Sequence, residues 1–178
     1  MGLFDKLLKK EEKLETFADS AIITPVKGKL INVEEVKDPV FAQSMMGQSI
    51  AIEPAENYVV APCNGTLEAV FPTGHAFGLR MEDGTGILVH IGIDTVSLNG
   101  EGFKVFKKQG DKVKAGEKVV SADFSLIKKK GLEASTMLII TEPVEGKTYS
   151  FIEPQDVEKY QIINSYSLQL QALLLSKF

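Results

Sequence analysis

The residues of this chain best suited to chemistry are two histidines, His75 and His90, the only imidazoles in 178 residues. Between them lies Glu82-Asp83-Gly84-Thr85, and an Asp-Gly pair between two apolar runs is a strong hairpin signal. A two-residue turn at Asp83-Gly84, or a four-residue turn from Glu82 to Thr85, would place His90 opposite Phe77 and His75 opposite Gly92. Because cross-strand partners and residues two apart point to one side of a sheet, this register predicts that the two imidazoles are diagonal neighbours.

Phosphoryl transfer is the first chemistry that such a pair could perform. One neutral imidazole nitrogen would attack the phosphoryl group, while the other ring nitrogen carries the proton and is held by a carbonyl. The second imidazole could donate a hydrogen bond to the phosphoryl oxygens, and the hydroxyl of Thr73 could add another. We expect Phe71, Phe77 and Leu88 to lie on the same side and to exclude water.

Zinc binding is the second chemistry, because His90 and Asp94 have the His-x-x-x-Asp spacing found in part of the ligand set of β-rich zinc peptidases. Those enzymes need further histidines for an open tetrahedral site. This chain offers at most two histidines and one carboxylate, so a hydrolase is not expected. Zinc completed by ligands from a partner stays open, and so does a purely structural role for the pair.

Short apolar runs separated by Gly, Pro, Asn and Asp predict an all-β fold, a sandwich or barrel, rather than βαβ units. One short helix is predicted between Asp123 and Lys130, with Gly131 as its stop. The predicted strands are 22–23, 30–31, 49–52, 58–61, 66–71, 77–81, 87–91, 118–122 and 137–140.

An internal repeat indicates that part of this fold is duplicated. Residues 23–33 align with residues 60–70, and Pro, Gly, Leu and Val coincide at fixed positions. The period of the repeat predicts two copies of one strand–turn–strand unit.

The sequence divides into three parts: an amphipathic segment at 1–19, a main domain at 20–154, and an extension of unclear role at 155–178. Within 1–17, leucines and phenylalanines recur mostly at helical spacing with lysines between them. This pattern suits a terminal helix docked on its own domain, and it equally suits a weak contact with an anionic membrane surface.

Composition limits the classes of function. A net charge of −4 argues against nucleic-acid binding. No apolar run approaches the ~18 residues of a membrane span, and the first residues lack the apolar core of a secretory signal. A single cysteine excludes an internal disulfide and fits a reducing cytoplasm, where we expect the protein to act.

Two motifs, Thr73-Gly74-His75-Ala76-Phe77 and Val89-His90-Ile91-Gly92-Ile93-Asp94-Thr95-Val96, carry a resemblance to a known family. The chain resembles the glucose-class IIA component of the bacterial phosphoenolpyruvate:sugar phosphotransferase system. Gly74 stands where that family often has a polar residue, which we expect to loosen the loop before His75. The resemblance fades beyond about residue 140. The other matching stretches are 1–7, 38–42, 50–54, 60–62, 65–66 and 98–103.

The resemblance implies an antiparallel β-sandwich built on a duplicated motif, with one or two short helices, and a phosphotransferase component with a phosphohistidine intermediate. His90 would accept phosphate from the carrier protein HPr and pass it to a cysteine of a sugar-specific IIB domain. His75 would support the phosphoryl group, with Thr73 beside it. Asp38 and Asp94 would form an acidic rim toward basic partners.

The resemblance also implies an apolar docking face and the possibility of zinc bound by the two histidines when a partner docks. No cofactor is required. The absence of membrane spans leads us to expect a IIA chain that is not fused to its permease. The implied docking residues are Val40, Phe41, Met45, Met46, Phe71 and Leu88.

Overall fold

The computed structural model describes residues 15–168, and every strand pairing within that range is antiparallel. Two short α-helices, α1 (Pro39–Ala42) and α2 (Phe124–Lys129), and two 3-10 helices at Val33–Glu35 and Thr95–Leu98 connect the strands. The strands are β1 (Gly28–Ile31), β2 (Gln48–Pro54), β3 (Tyr58–Val60), β4 (Gly65–Val70), β5 (Ala76–Arg80), β6 (Gly86–Ile91), β7 (Phe103–Val105), β8 (Lys112–Val113), β9 (Lys118–Ala122), β10 (Thr136–Glu142), β11 (Lys147–Phe151), β12 (Asp156–Val157) and β13 (Asn164–Leu168).

The strands form a sandwich, which confirms the predicted fold class. One sheet has eight strands in the order β12-β1-β2-β10-β6-β5-β4-β8, and smaller sheets are formed by β3-β9-β7 and β11-β13. The main core lies between the layers, where Phe77 and Val89 of the large sheet share one buried cluster with Val59 and Val120 of the three-stranded sheet. Burying these apolar side chains is the principal force that holds the layers together.

Reciprocal hydrogen bonds join the two copies of the sequence repeat. The amide of Ile23 donates to the carbonyl of Pro62 at 2.8 Å, and the amide of Val60 donates to the carbonyl of Pro25 at 2.8 Å. Ile23 corresponds to Val60 in the repeat, and Pro25 corresponds to Pro62. Each copy therefore makes the same bond to the other, as expected for a duplicated unit folded around an approximate two-fold axis.

The hairpin between β5 and β6 has a register one residue away from the predicted one. Its loop has five residues, Met81 to Thr85, rather than the two or four that the prediction allowed, and the amide of Met81 donates to the carbonyl of Thr85 at 2.9 Å. His90 consequently lies opposite Ala76, and Phe77 lies opposite Val89. The prediction that Phe77 shares the side of His90 is wrong, since Phe77 is fully buried in the main core.

The predicted helix after β9 is confirmed as α2. Asp123 caps it by accepting a hydrogen bond from the amide of Leu126 at 3.0 Å, and Gly131 follows its end with φ +79°. Lys128 and Lys129 occupy its last turn, where positive charge is favoured.

Residues 155–168, the described part of the predicted C-terminal extension, add strands to the sandwich. β12 pairs with β1, and β13 pairs with β11. Ile163 is fully buried in the main core. The shared core explains why residues beyond 155 fold onto the domain.

The N-terminal segment 1–14 lies outside the described residues, so its predicted helix is not addressed by the structure. Phe17 packs on a small cluster formed by Ile23, Val60 and Ala115. Along the described range 15–168, no helix combines the length and apolar character needed to cross a membrane.

Candidate functional site

His90 occupies the penultimate position of β6, with its side chain on the face of the large sheet that points away from the main core. Its neighbours Val89 and Ile91 point into that core and are fully buried. Nδ1 of His90 lies 2.8 Å from the carbonyl oxygen of Gly92. A carbonyl can only accept, so Nδ1 carries the proton and Nε2 keeps a free lone pair.

Gly92 positions this carbonyl through a backbone conformation that other residues rarely adopt. Its φ is +73°, and a Cβ there would lie 2.4 Å from Cγ2 of Thr95 and 2.9 Å from the carbonyl oxygen of Glu133. Both the dihedral angle and the close packing therefore require glycine.

We expect Gly92→Ala to lower the free energy of unfolding by roughly 3 kcal/mol, because it combines left-handed strain with overpacking. Urea unfolding measures the effect. Gly84→Ala is the matched control, since Gly84 also has positive φ (+94°) but nothing within 4 Å of its Cβ position. It should cost only about 1 kcal/mol. Equal losses in the two variants would contradict the packing argument.

His75 lies next to His90 although the hairpin register does not direct its side chain there. His75 precedes β5, so strand alternation does not fix its side chain, and its carbonyl accepts a hydrogen bond from the amide of Ile91 at 2.7 Å. The two ring centroids are 5.4 Å apart with an interplanar angle of 76°. The predicted proximity of the histidines is therefore present, although the predicted register is not.

Gly74 lets the loop before His75 pack closely on β7. This glycine has φ +73°, and a Cβ there would lie 2.8 Å from Cβ of Phe103. Its amide donates to the carbonyl of Phe71 at 2.8 Å. Glycine at this position therefore permits close packing on β7, and the expectation of a looser loop stays a prediction.

Thr73 contacts His75 directly, with its Oγ1 2.6 Å from Nδ1 of the imidazole. A hydroxyl can donate or accept, so this contact suits either neutral tautomer of His75. The three residues Thr73, His75 and His90, predicted from the sequence as one group, thus lie together.

Aromatic rings flank both imidazoles. The ring centroid of Phe41 lies 5.0 Å from that of His90, and Phe71 lies 5.1 Å from His75. Phe41 is placed by α1, whose N-cap Asp38 accepts hydrogen bonds from the amides of Val40 at 2.8 Å and Phe41 at 3.3 Å. Asp38 therefore also builds the site.

A second, smaller apolar cluster supports the site from below. It lies on the outer side of the large sheet, and it includes Phe41, Met137 and Ile139, with Leu88 packed against it. Met137 is the β10 partner of His90. His90 therefore lies beside a buried apolar cluster, and we call Phe41, Leu88 and Met137 of this cluster the floor of the site.

The predicted docking residues divide by exposure. Val40, Met45, Met46 and Phe71 are exposed, at 41%, 69%, 40% and 42%. Phe41 is buried and Leu88 is half-buried, so these two side chains support the site from within the domain and offer little surface to a partner. Sequence reasoning missed Val96, which is 53% exposed on the 3-10 helix that directly follows Asp94.

Burial is the main influence on the titration of both histidines. Burial lowers the pKa of His75. Burial also lowers the pKa of His90, and the neighbouring His75 imidazole lowers it further. The Gly92 carbonyl and the carboxylates of Asp38 and Asp94 oppose the shift in the pKa of His90 without reversing it. Both rings are therefore neutral at pH 7.

His75 is buried, at 8% exposure, and His90 is half-buried. A groove of about 660 Å³ lies beside them, lined in part by Ile93, Asp94 and Glu133, and neither histidine contributes to it. The exposed apolar side chains near the pair, Val40, Met45 and Phe71 among them, suit contact with a macromolecule.

Comparison with known proteins agrees with this arrangement. The profile of the family described as "phosphoenolpyruvate-dependent sugar phosphotransferase system, EIIA 1" matches residues 20–145. The chain belongs to this family. Membership makes it a component of a sugar phosphotransferase system, and therefore a transferase component.

Individual relatives show how far the similarity extends. The glucose-specific EIIA component of Staphylococcus aureus is 39% identical over 157 residues, which cover 88% of this chain and 93% of that protein. The glucose-specific EIICBA component of Streptococcus pneumoniae is 50% identical over 114 residues, covering 64% of this chain but only 16% of that protein. The solved glucose permease IIA from Mycoplasma capricolum superposes with a TM-score of 0.77 at 38% identity, covering 81% of this chain and 93% of that one.

Proposed function

We propose that Nε2 of His90 accepts a phosphoryl group from the phosphohistidine of HPr and passes it to the cysteine of a IIB domain, for sugar uptake and phosphorylation. The observation that carries this proposal is the 2.8 Å hydrogen bond from Nδ1 of His90 to the Gly92 carbonyl. It leaves Nε2 unprotonated, as a nucleophile must be.

In each transfer step, one bond to phosphorus forms as another breaks. The lone pair of Nε2 forms a new P–N bond in line as the P–N bond of the donor breaks, and the donor imidazole leaves with the bonding pair. In the second step, a thiolate of the acceptor forms a P–S bond as the bond to Nε2 breaks. Nδ1 of His90 keeps its proton throughout, so the Gly92 carbonyl holds the ring at each stage.

Thr73 and His75 would stabilise the charge of the transferring group. If the Thr73 hydroxyl donates to Nδ1 of His75 across their 2.6 Å contact, Nε2 of His75 carries a proton. That N–H can donate to a phosphoryl oxygen beside His90, because the rings are 5.4 Å apart. Phe41 and Phe71 flank the rings and would slow hydrolysis of the phosphohistidine by excluding water.

The exposed apolar rim supports docking by both HPr and a IIB domain. Exposed side chains around the pair, Met45 and Phe71 among them, provide contact area, and the carboxylates of Asp38 and Asp94 act electrostatically on His90. A negative rim would attract a basic partner. The Streptococcus pneumoniae relative carries EIIA within a single EIICBA protein, which supports a IIB domain as the acceptor.

The zinc-binding alternative has less support from the residues present. Within 15–168, no group of three or more His, Cys, Asp or Glu side chains is placed to hold a metal ion. His75 and His90 could supply two ligands, so zinc there would depend on a partner for the others. This possibility remains a prediction.

The test of the proposed function is incubation with phosphoenolpyruvate, enzyme I and HPr. We expect the chain to acquire an acid-labile, base-stable phosphoryl label, as a phosphoramidate should. Omission of HPr is the control, and it should abolish the label. Absence of label in the complete mixture would contradict the phosphocarrier proposal.

The pH dependence of the site follows from the lowered pKa of His90. We expect its NMR titration midpoint below the ordinary 6.5 of an imidazole, so that the ring stays neutral in mildly acidic solution. In the unfolded chain the ring binds its proton at the higher, ordinary pKa. Folding stability should therefore fall as pH drops below about 6.5. A midpoint above 6.5 would contradict burial as the dominant influence.

A weak contact of residues 1–17 with anionic membrane stays part of the proposal, together with action in the cytoplasm. We expect the full chain to bind anionic vesicles more tightly than a chain lacking residues 1–14. This truncation keeps Phe17, which packs on the domain. Vesicle co-sedimentation measures the difference, and equal binding by the two chains would contradict the idea.

A further inference from the structure

The outer side of the three-stranded sheet β3-β9-β7 carries two exposed aromatic rings and two lysines. We call Tyr58, Lys104, Phe106 and Lys118 the lysine–aromatic face. Tyr58 and Phe106 are 40% and 41% exposed, with ring centroids 6.3 Å apart. Nζ of Lys104 lies 5.3 Å from the Phe106 centroid, and Nζ of Lys118 lies 3.9 Å from the Tyr58 centroid. The rings thus hold both ammonium groups over one surface.

This part of the chain is strongly basic within an acidic protein. Residues 103–122 contain six lysines against two acidic residues, Asp111 and Glu117, while the whole chain has a net charge of −4. Glu117 is paired with Lys107 at 2.5 Å. The charge of the lysine–aromatic face is therefore not neutralised by its own segment, and it favours a negatively charged partner.

The lysine–aromatic face and the histidines lie on opposite layers of the sandwich. Val59 and Val120 of the three-stranded sheet point into the main core, and so does Val89, the neighbour of His90. Alternation along the strands directs Tyr58 away from the core on one side and His90 away from it on the other. A partner on the lysine–aromatic face would leave the histidines accessible.

The start of the described chain meets the domain beside this face. Nδ2 of Asn64 donates to the carbonyl of Phe17 at 3.1 Å, and Oδ1 of Asn64 accepts from the amide of Ala115 at 3.0 Å. Ala115 belongs to the turn that leads into β9 and Lys118. The first described residues therefore contact the domain close to the lysine–aromatic face.

We propose that the lysine–aromatic face is a contact surface for an anionic lipid bilayer. Lys104 and Lys118 would approach the headgroup phosphates, and Tyr58 and Phe106 would enter the interfacial region, where aromatic rings are favoured. The domain would then rest on the membrane with its histidines turned toward protein partners. This inference concerns orientation and does not depend on the phosphocarrier proposal.

A tryptophan reporter tests the contact directly, because the chain has no tryptophan of its own. In full-length Phe106→Trp, we expect a blue shift of emission with vesicles containing phosphatidylglycerol and none with pure phosphatidylcholine. Emission typical of water while the chain binds the anionic vesicles would overturn the proposal, since the N-terminal segment alone would then make the contact.

Charge removal provides the second measurement. Lys104→Gln/Lys118→Gln should weaken binding to the anionic vesicles by about 25-fold, at roughly fivefold per lysine. Lys128→Gln/Lys129→Gln removes the same charge at the end of α2 and should weaken binding by less than about fivefold. Equal losses in the two variants would overturn the proposal, and so would binding of polyglutamate but not of vesicles, which would indicate an acidic protein partner. Phosphorylation by HPr should be unchanged in both variants.

Discussion

His90→Gln should carry no phosphoryl label after incubation with phosphoenolpyruvate, enzyme I and HPr, whereas the unmodified chain is labelled. Glutamine has no nucleophilic ring nitrogen, and an amide cannot form a stable phosphoramidate with the phosphoryl group of HPr. The loss should be complete rather than partial, because His75 is not expected to replace His90 as the nucleophile. Nδ1 of His75 contacts a hydroxyl, which can donate or accept, whereas Nδ1 of His90 contacts a carbonyl, which can only accept.

The fold of this variant should survive, which makes the result interpretable. The substitution removes one hydrogen bond to Gly92, at a cost of about 1 kcal/mol. The floor formed by Phe41, Leu88 and Met137 stays in place. Circular dichroism and urea unfolding provide the control. Persistent acid-labile label in a folded His90→Gln would show that another residue accepts the phosphoryl group.

The sequence correctly predicted that the two histidines lie close together, but the hairpin register used for that prediction was wrong. The Asp83-Gly84 signal correctly located a turn, but it does not determine loop length. The loop has five residues, from Met81 to Thr85, and this odd number shifts the ladder by one residue relative to a loop of two or four. A shift of one residue exchanges the faces of a strand, so Phe77 moved from the predicted site to the core.

His75 escaped this error because it stands outside the ladder. Its direction depends on the left-handed backbone of Gly74 and on the packing of that glycine against Phe103, which lies 29 positions later in the chain. Such packing has no local pattern in the sequence. The predicted repeat, in contrast, was detectable because both copies must make the same bonds.

The sequence contains a signal for α1, the helix that places Phe41 beside His90, although this helix was not predicted. Asp38-Pro39 combines an N-cap residue with proline at the first helical position, the usual start of a helix. The helix has only four residues, too few for an apolar period to be recognised. Val96 was missed for a similar reason, since one exposed apolar residue on a single turn has no distinguishing pattern.

The division of labour between the histidines follows from their hydrogen-bond partners rather than from backbone freedom. Nδ1 of His90 faces a backbone carbonyl, which fixes its proton and leaves Nε2 as the nucleophile. Nδ1 of His75 faces the Thr73 hydroxyl, which can donate and so leave Nε2 of His75 as a donor. His75 is therefore suited to stabilise the transferring group, and His90 is suited to carry it.

His75→Gln should accordingly still accept a phosphoryl group from HPr but pass it to the IIB cysteine about a hundredfold more slowly. Glutamine retains a donor, yet it cannot match imidazole at the position where charge develops, and loss of such a contact typically costs ~3 kcal/mol. Rapid-quench transfer from the labelled protein to a IIB domain measures the second step separately from the first.

Thr73→Val is the matched control for the tautomer argument. It keeps the imidazole and removes the hydroxyl 2.6 Å from Nδ1, so it should slow the second step by roughly tenfold, about 1.4 kcal/mol, and less than His75→Gln does. If His75→Gln cannot be phosphorylated while His90→Gln can, the roles are reversed. The Gly92 hydrogen bond would then orient the supporting imidazole rather than the nucleophile.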